Sequence, residues 1–145
     1  MSTEKNPSSD EKIMAGLANG AVIVPMWGLI AAVLIWVLQR EKSEFVRQQG
    51  MQAVAWQVTQ LAVMFGGILL YMGSFFLMMG GTFMMTPDTG EPPFFFFFPF
   101  MMMGCVFLFQ FVFIIVGLWG AIRSFQGHDY SYPVIGSKVR QYLNQ

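Results

Sequence analysis

The side chains of this chain that could do chemistry are few and far apart. The single histidine, His128, lies next to Asp129, and a His–Asp pair can support acid–base catalysis. No nucleophile elbow, phosphate-binding loop or metal-ligand spacing accompanies this pair, and one histidine cannot build a zinc or haem site. We therefore interpret the pair as a surface hydrogen bond. The sequence predicts no enzyme, no catalytic residue, no metal ligand and no cofactor.

Two amides, Asn19 and Gln110, stand deep inside long apolar runs. No Asp, Glu, Lys, Arg or His lies inside a predicted membrane core, and ion or proton pathways normally depend on such groups. An amide can hydrogen-bond a neighbouring helix in lipid for about 0.6–2 kcal/mol. We therefore predict helix-to-helix contacts for both. The single cysteine, Cys105, cannot form an intrachain disulfide.

The composition is that of a membrane protein. Hydrophobic residues make up 55% of the 145 residues and charged residues only 11%, whereas soluble domains carry about 25% charged residues. A soluble domain of this size could not bury so much apolar surface. The net charge is zero and no basic patch is present, which argues against nucleic acid as a partner. The sequence predicts an all-α polytopic membrane protein, with a mobile polar tail over residues 1–12 and one membrane domain over residues 13–143.

Three uncharged runs, residues 13–38, 48–87 and 92–122, are long enough to cross a bilayer, which takes about 20 apolar residues in a helix. They lack the alternation of barrel strands, so we predict helical spans over residues 14–38, 61–84 and 100–122. Pro25 interrupts the first run. That run is either one span kinked at Pro25, which we expect, or two short pieces that form a re-entrant hairpin.

Two amphipathic segments flank these spans. Over residues 44–60, glutamines and Trp56 share one helical face, which predicts an interfacial helix that continues into the second span. Residues 133–143 have apolar positions at helical spacing beside Lys138 and Arg140, which predicts a second interfacial helix. Five phenylalanines at residues 94–98 are interpreted as a lipid-facing anchor, with a ligand-stacking site as the alternative.

The distribution of Lys and Arg predicts the orientation in the cell membrane. The loop over residues 86–93 holds Asp88 and Glu91 but no basic residue. The positive-inside rule therefore places the first loop and the C-terminus in the cytoplasm. With three spans the N-terminus lies outside, whereas a hairpin in the first run would place it inside. The basic residues that decide this orientation are Arg40, Lys42, Arg47, Arg123, Lys138 and Arg140.

Glycines recur at spacings that suit helix packing in lipid, where small residues let backbones approach closely. Some of these glycines follow a G-x-x-x-G spacing and others recur every seven residues. Glycine is also common in membrane helices generally, but we expect these positions to pack against helices of the same chain or of another. The predicted helix-packing positions are Gly16, Gly20, Gly66, Gly73, Gly80 and Gly117.

Two separated segments, EKSEFVRQQGMQAVAWQ at residues 41–57 and YSYPVIG at residues 130–136, carry a family resemblance. They resemble a bacterial family of small membrane proteins of unknown function related to the plastid protein-import component Tic-twenty. The magnetosome membrane protein MamF looks like another relative. Where the family often has a histidine, this chain has Gln49 or a neighbour. The positions that match the family motif are Phe45, Val46, Arg47, Gln52, Ala53, Gln57, Tyr132 and Pro133.

The resemblance implies a polytopic helical fold and assigns no activity. The residues favour a non-enzymatic structural or accessory subunit that packs against membrane lipids and other membrane chains, or copies of itself, in a larger complex, with an energy-transducing complex as one candidate. The plastid relatives imply the alternative, a component of a transport or protein-translocation assembly.

Overall fold

The computed structural model describes residues 6–84 and 94–143, and the regular structure of this part of the chain is entirely helical. The all-α prediction is therefore confirmed for these residues. The loop over residues 86–93, with Asp88 and Glu91, lies outside them. The helices are α1 (Ser9–Gly20), α2 (Pro25–Gln39), α3 (Glu44–Met84), α4 (Phe98–Phe125) and α5 (Gly136–Leu143), with short 3-10 turns at Ala21–Ile23 and Phe94–Phe97.

Two of the described helices, α3 over Glu44–Thr82 and α4, are long and apolar enough to cross a membrane. The 28 residues of α4 extend about 42 Å at 1.5 Å per residue, more than the ~30 Å of a bilayer core. Few side chains of their most apolar stretches are buried, so neither is the core helix of a soluble protein. The predicted spans at residues 61–84 and 100–122 lie within these helices. Among the described residues a third helix of this length and hydropathy is not found.

The first apolar run is an antiparallel helical hairpin. Val24 is extended (φ −115°, ψ 93°) and Pro25 is the first residue of α2, because proline suits a helix start and forces the residue before it out of the helical region. Ala18 and Ala32 pack together, and the start of α1 lies beside Gln39 at the end of α2. The single kinked helix that we expected is therefore wrong. At 15 residues α2 extends only about 22 Å.

The hairpin begins earlier than the predicted end of the polar tail at residue 12. Ser8 and Glu11 form a capping box at the start of α1, in which the Ser8 N–H donates to Glu11 Oε2 at 2.6 Å and the Glu11 N–H donates to Ser8 Oγ at 3.3 Å. These two bonds occupy N–H groups that the helix itself leaves unpaired. The helix therefore starts at Ser9, and the acidic residues of its first turn, Asp10 and Glu11, favour this start.

Internal contacts divide the chain into two compact units. The hairpin unit comprises Met1–Leu61 and Phe113–Gln145, and so holds α1, α2, the first part of α3, the end of α4, and α5. Its core has an alanine cluster of Ala18, Ala32 and Ala53. A second cluster is built on Trp56, which stacks on the Tyr132 ring with centroids 4.8 Å apart.

The apolar unit comprises Ala62–Val112. Its two helices approach at Gly67, where an added side-chain carbon would lie 2.7 Å from Val106 Cγ2. An apolar groove of about 440 Å³ runs beside this contact and has no polar lining. Large apolar side chains on both helices stay mostly exposed, as Leu69 (70%) and Phe107 (67%) illustrate.

Candidate functional site: a buried amide network

A row of glutamines on α3 carries the most unusual chemistry of the described chain. Their spacing of three, five and three residues keeps them on one side of the helix, and all four are completely buried. Buried amides need hydrogen-bond partners, and most amide atoms of these glutamines bond to groups of the protein. The predicted placement of this segment at the membrane interface stays a prediction. The glutamines are Gln49, Gln52, Gln57 and Gln60.

Asn19 of α1 begins a chain of hydrogen bonds that joins three helices. Its Nδ2 donates to Ser124 Oγ on α4 at 3.0 Å and to the Ala15 carbonyl oxygen at 2.9 Å. Ser124 Oγ in turn donates to Gln49 Oε1 on α3 at 3.3 Å. The predicted role of Asn19 as a helix-to-helix contact is therefore confirmed.

The segment after α4 closes this chain from the other side. The Tyr132 hydroxyl donates to Asn19 Oδ1 at 2.6 Å, and the Tyr132 N–H donates to Gln52 Oε1 at 3.1 Å. Burial raises the pKa of the Tyr132 phenol well above its ordinary value. The hydroxyl is therefore a permanent donor rather than an acid–base group at neutral pH.

Asp129 connects the buried network to the surface. Gln49 Nε2 donates to Asp129 Oδ1 at 2.5 Å and to the Tyr130 carbonyl oxygen at 3.1 Å. Arg140 of α5 pairs with Asp129 Oδ2 at 2.5 Å. His128 is exposed and takes no part, so the surface hydrogen bond predicted between His128 and Asp129 is not formed.

The last two glutamines reach the tip of the hairpin. Gln57 Nε2 donates to the Ala18 carbonyl oxygen at 3.1 Å, and Gln60 Nε2 donates to the Val22 carbonyl oxygen over a long 3.5 Å. Three amide atoms of the row are buried without a hydrogen-bond partner in the described part of the chain. They are Gln52 Nε2, Gln57 Oε1 and Gln60 Oε1.

Three of the predicted packing glycines lie where the hairpin meets α4. A side-chain carbon at Gly16 would lie 2.5 Å from the Phe125 ring, and one at Gly20 would lie 3.7 Å from Ala121. A side-chain carbon at Gly117 would lie 2.5 Å from Val22 Cγ1. These glycines therefore pack within the chain.

The other three, Gly66, Gly73 and Gly80, form a row on the part of α3 that belongs to the apolar unit. A side-chain carbon at any of them would meet no described atom within 4 Å. We call this set the glycine row. Within the described chain these positions are open, so what packs against them stays a prediction.

The two resembling segments meet in the hairpin unit. Gln52 and Tyr132, one from each, share a hydrogen bond, and Gln57 holds the hairpin. Val46 and Ala53 are buried, whereas Pro133 is exposed in the turn before α5. Phe45 is half-buried, and Arg47 pairs with Glu44 at 2.7 Å. The motif positions thus mainly hold the unit together.

What the sequence missed is the partner of each amide. The sequence predicts helix contacts for Asn19 and Gln110, but it does not indicate Ser124 or the burial of the four glutamines. The spacing of the glutamines predicts a polar helical face. The sequence does not distinguish a polar face that contacts lipid headgroups from one that contacts buried protein groups. In the described part of the chain, no group of three or more His, Cys, Asp or Glu residues is placed to hold a metal.

None of the curated proteins and none of the solved structures compared matches the chain. A family model does match it, over residues 10–139. The predicted relation to MamF is confirmed, and the relation to Tic-twenty stays a prediction. Because the match extends from the start of the hairpin into α5, the chain belongs to the MamF/MmsF family, described as the magnetosome magnetite crystal formation protein family.

Proposed function

We propose that this chain is a non-enzymatic structural subunit of the magnetosome membrane, which acts in magnetite crystal formation by packing against other membrane chains or copies of itself. The family description supplies the process. The observation that carries the structural role is the direction of the side chains. The hairpin unit directs its amides inward, and large apolar side chains of both units face outward.

The inward network supports a scaffold more than a reaction centre. Asn19, Gln49 and Ser124 bond to one another, and Tyr132 is fixed as a donor. Amides and hydroxyls used in this way specify helix positions in lipid. They supply neither a nucleophile nor a general base.

The outward surface supplies the means of association. In lipid, helices associate through close backbone approach, van der Waals packing and a few polar bonds. The glycine row offers such an approach, because no described atom of the chain covers Gly66, Gly73 or Gly80. We propose that a helix of another membrane chain packs there.

The hairpin also changes the proposed topology. A side-chain carbon at Gly127, after α4, would lie 2.5 Å from Lys12 Cε, and Ser8 and Lys42 line one groove. The start of α1, the loop after α2 and the segment after α4 are thus close together. By the positive-inside rule we propose that all three face the cytoplasm. The N-terminus is then inside, not outside as the three-span arrangement requires.

Complementation in a magnetosome-forming bacterium tests the proposal. Cells that lack the chain should form fewer or smaller magnetite crystals in electron micrographs, and the wild-type chain should restore them. Gly73→Leu places a bulky group in the glycine row and should insert in the membrane, lose its co-purifying chains and fail to restore crystal size. Gly104→Leu is the matched control, because Gly104 of α4 also has no described atom within 4 Å.

Unchanged crystals in cells that lack the chain would contradict a role in crystal formation. If Gly73→Leu assembles normally and the isolated wild-type protein carries solutes across liposome membranes, the transport alternative replaces the structural one.

A further inference from the structure

We infer that the tip of the α1–α2 hairpin binds ordered water, held by Oε1 of Gln57 and Gln60 beside the first turn of α2. This inference is independent of the proposed function. It concerns buried polar groups of the hairpin and α3, all within the hairpin unit.

The first observation is a pair of unpartnered acceptors. Gln57 and Gln60 are completely buried, and each uses Nε2 as a donor to a carbonyl oxygen of the hairpin. Their Oε1 atoms have no donor within reach in the described chain. A buried amide oxygen without a hydrogen bond is costly, and native proteins commonly satisfy such groups with water.

The second observation is a set of unpaired donors close to one of these oxygens, Gln57 Oε1. The first N–H groups of any helix lack an intrahelical acceptor. Val24 gives α2 no side-chain cap, which leaves the N–H groups of Met26 and Trp27 in this position. A side-chain carbon at the neighbouring Gly28 would meet the Ala21 carbonyl oxygen first and would lie 3.3 Å from Gln57 Oε1, so Gln57 Oε1 lies close to the uncapped turn.

Water fits both sets because it donates two hydrogen bonds and accepts two. It can donate to the glutamine oxygens and accept from the N–H groups of α2, which falls within the range of about two to four partners that buried waters have. A cation fits less well. The site offers two neutral amide oxygens and no carboxylate, and the carbonyl oxygens of Ala18 and Val22 already accept Nε2 bonds.

The site also explains how the hairpin tip can lie at membrane depth. Irregular backbone is tolerated there only where it is enclosed by protein or faces water. The 3-10 turn at Ala21–Ile23 and the extended Val24 interrupt the helical bonding at this point. Bound water supplies hydrogen bonds that the interrupted backbone lacks.

Water-edited solid-state NMR on the full chain in phosphatidylethanolamine–phosphatidylglycerol vesicles tests the inference. Magnetisation should pass from water to the side-chain amides of Gln57 and Gln60 and to the Gly28 α-protons several-fold faster than to Ala53. Ala53 is the internal control, because it is buried in the alanine cluster of the same unit.

Two variants sharpen the test. Gln57→Met keeps a side chain of similar length but removes the amide, and should slow the transfer to Gly28 several-fold. Thr59→Val is the matched control, because the Thr59 hydroxyl donates to the Ala55 carbonyl oxygen of its own helix, and it should leave the transfer unchanged.

Transfer to Gly28 as slow as to Ala53 in the folded wild type would overturn the inference, and this comparison holds even if Gln57→Met does not fold. Fast transfer to Gly28 that persists in a folded Gln57→Met would also overturn the glutamine site. Movement of the Gln57 and Gln60 amide resonances with added K⁺, without fast water transfer, would assign an ion to the site instead.

Discussion

Tyr132 donates a 2.6 Å hydrogen bond to Asn19, so the segment after the last membrane-capable helix holds the N-terminal hairpin directly. Both residues are almost fully buried, and the Tyr132 ring also stacks on Trp56. The bond joins residues 113 positions apart. The hairpin, the part of α3 up to Leu61 and the C-terminal segment should therefore unfold as one unit.

Removing this hydroxyl should destabilise the hairpin unit. Tyr132→Phe keeps the ring stacked but leaves Asn19 Oδ1 buried without its donor, a loss of about 1–3 kcal/mol. Thermal unfolding in mild detergent should show a lower midpoint. Tyr130→Phe is the control, because the Tyr130 ring contacts Tyr132 edge-on and is only partly buried. Equal midpoints for the two variants would contradict the role of the Tyr132–Asn19 bond.

Alkaline pH should destabilise the same unit through Tyr132. Burial, and to a lesser extent Tyr130, raises the pKa of Tyr132 in the folded chain above its ordinary value of 10.0. The contribution of Tyr132 to stability is therefore complete below pH 10 and is lost as the pH rises above it, by up to about 1.4 kcal/mol per pH unit.

The unfolding midpoint of the wild type, measured from about pH 8 to pH 11, should fall more steeply above pH 10 than that of Tyr132→Phe. Parallel curves for the two proteins would show that Tyr132 does not carry this pH dependence.

The membrane-capable helices could be predicted because a long uncharged run satisfies its backbone hydrogen bonds in lipid by forming a helix. The hairpin could not be predicted in preference to one kinked helix, because Pro25 is compatible both with a kink inside a helix and with the first residue of a new helix. What decides between them is the packing of Ala18 on Ala32 and of Gln57 on the α1 backbone. Such contacts between distant residues are not visible in local periodicity.

The site was predictable in part. Asn19 stood out because a strongly polar side chain in an apolar run needs a partner. Its partners Ser124 and Tyr132 carry no comparable signal of their own, since Ser and Tyr are common at membrane interfaces and helix ends. The glutamine face was also visible, but its direction depends on where α1 and α4 lie.

The glycines should separate into two classes when replaced by alanine. Gly117→Ala places a carbon 2.5 Å from Val22 Cγ1 and should cost about 1–3 kcal/mol by overpacking. Gly73→Ala meets no described atom within 4 Å and should be neutral or stabilising by up to about 1 kcal/mol in the isolated chain, since alanine favours helix. Thermal unfolding of the two variants in detergent measures the difference. An equal loss in both would contradict the open environment of Gly73.

The hairpin predicts that both ends of the chain and the loop after α2 label from one side of the membrane. In a Cys105→Ser background, Ser9→Cys, Lys42→Cys and Lys138→Cys each place a thiol at an exposed position. A membrane-impermeant maleimide should label all three from the same side of oriented vesicles. A hairpin returns the chain to the side on which it began, and two crossings by α3 and α4 return it there again.

Thr89→Cys, in the loop outside the described residues, is the matched control and should label from the opposite side, because α3 crosses the membrane before it. In the loop after α2, Lys42 is labelled rather than its neighbour Ser43, because Ser43 is buried and its hydroxyl accepts a hydrogen bond from the Val46 N–H. Labelling of Ser9→Cys on the side of Thr89→Cys would mean that the first apolar run crosses the membrane. In that case α1 and α2 could not pack antiparallel in the bilayer, and the proposed cytoplasmic location of the N-terminus would be wrong.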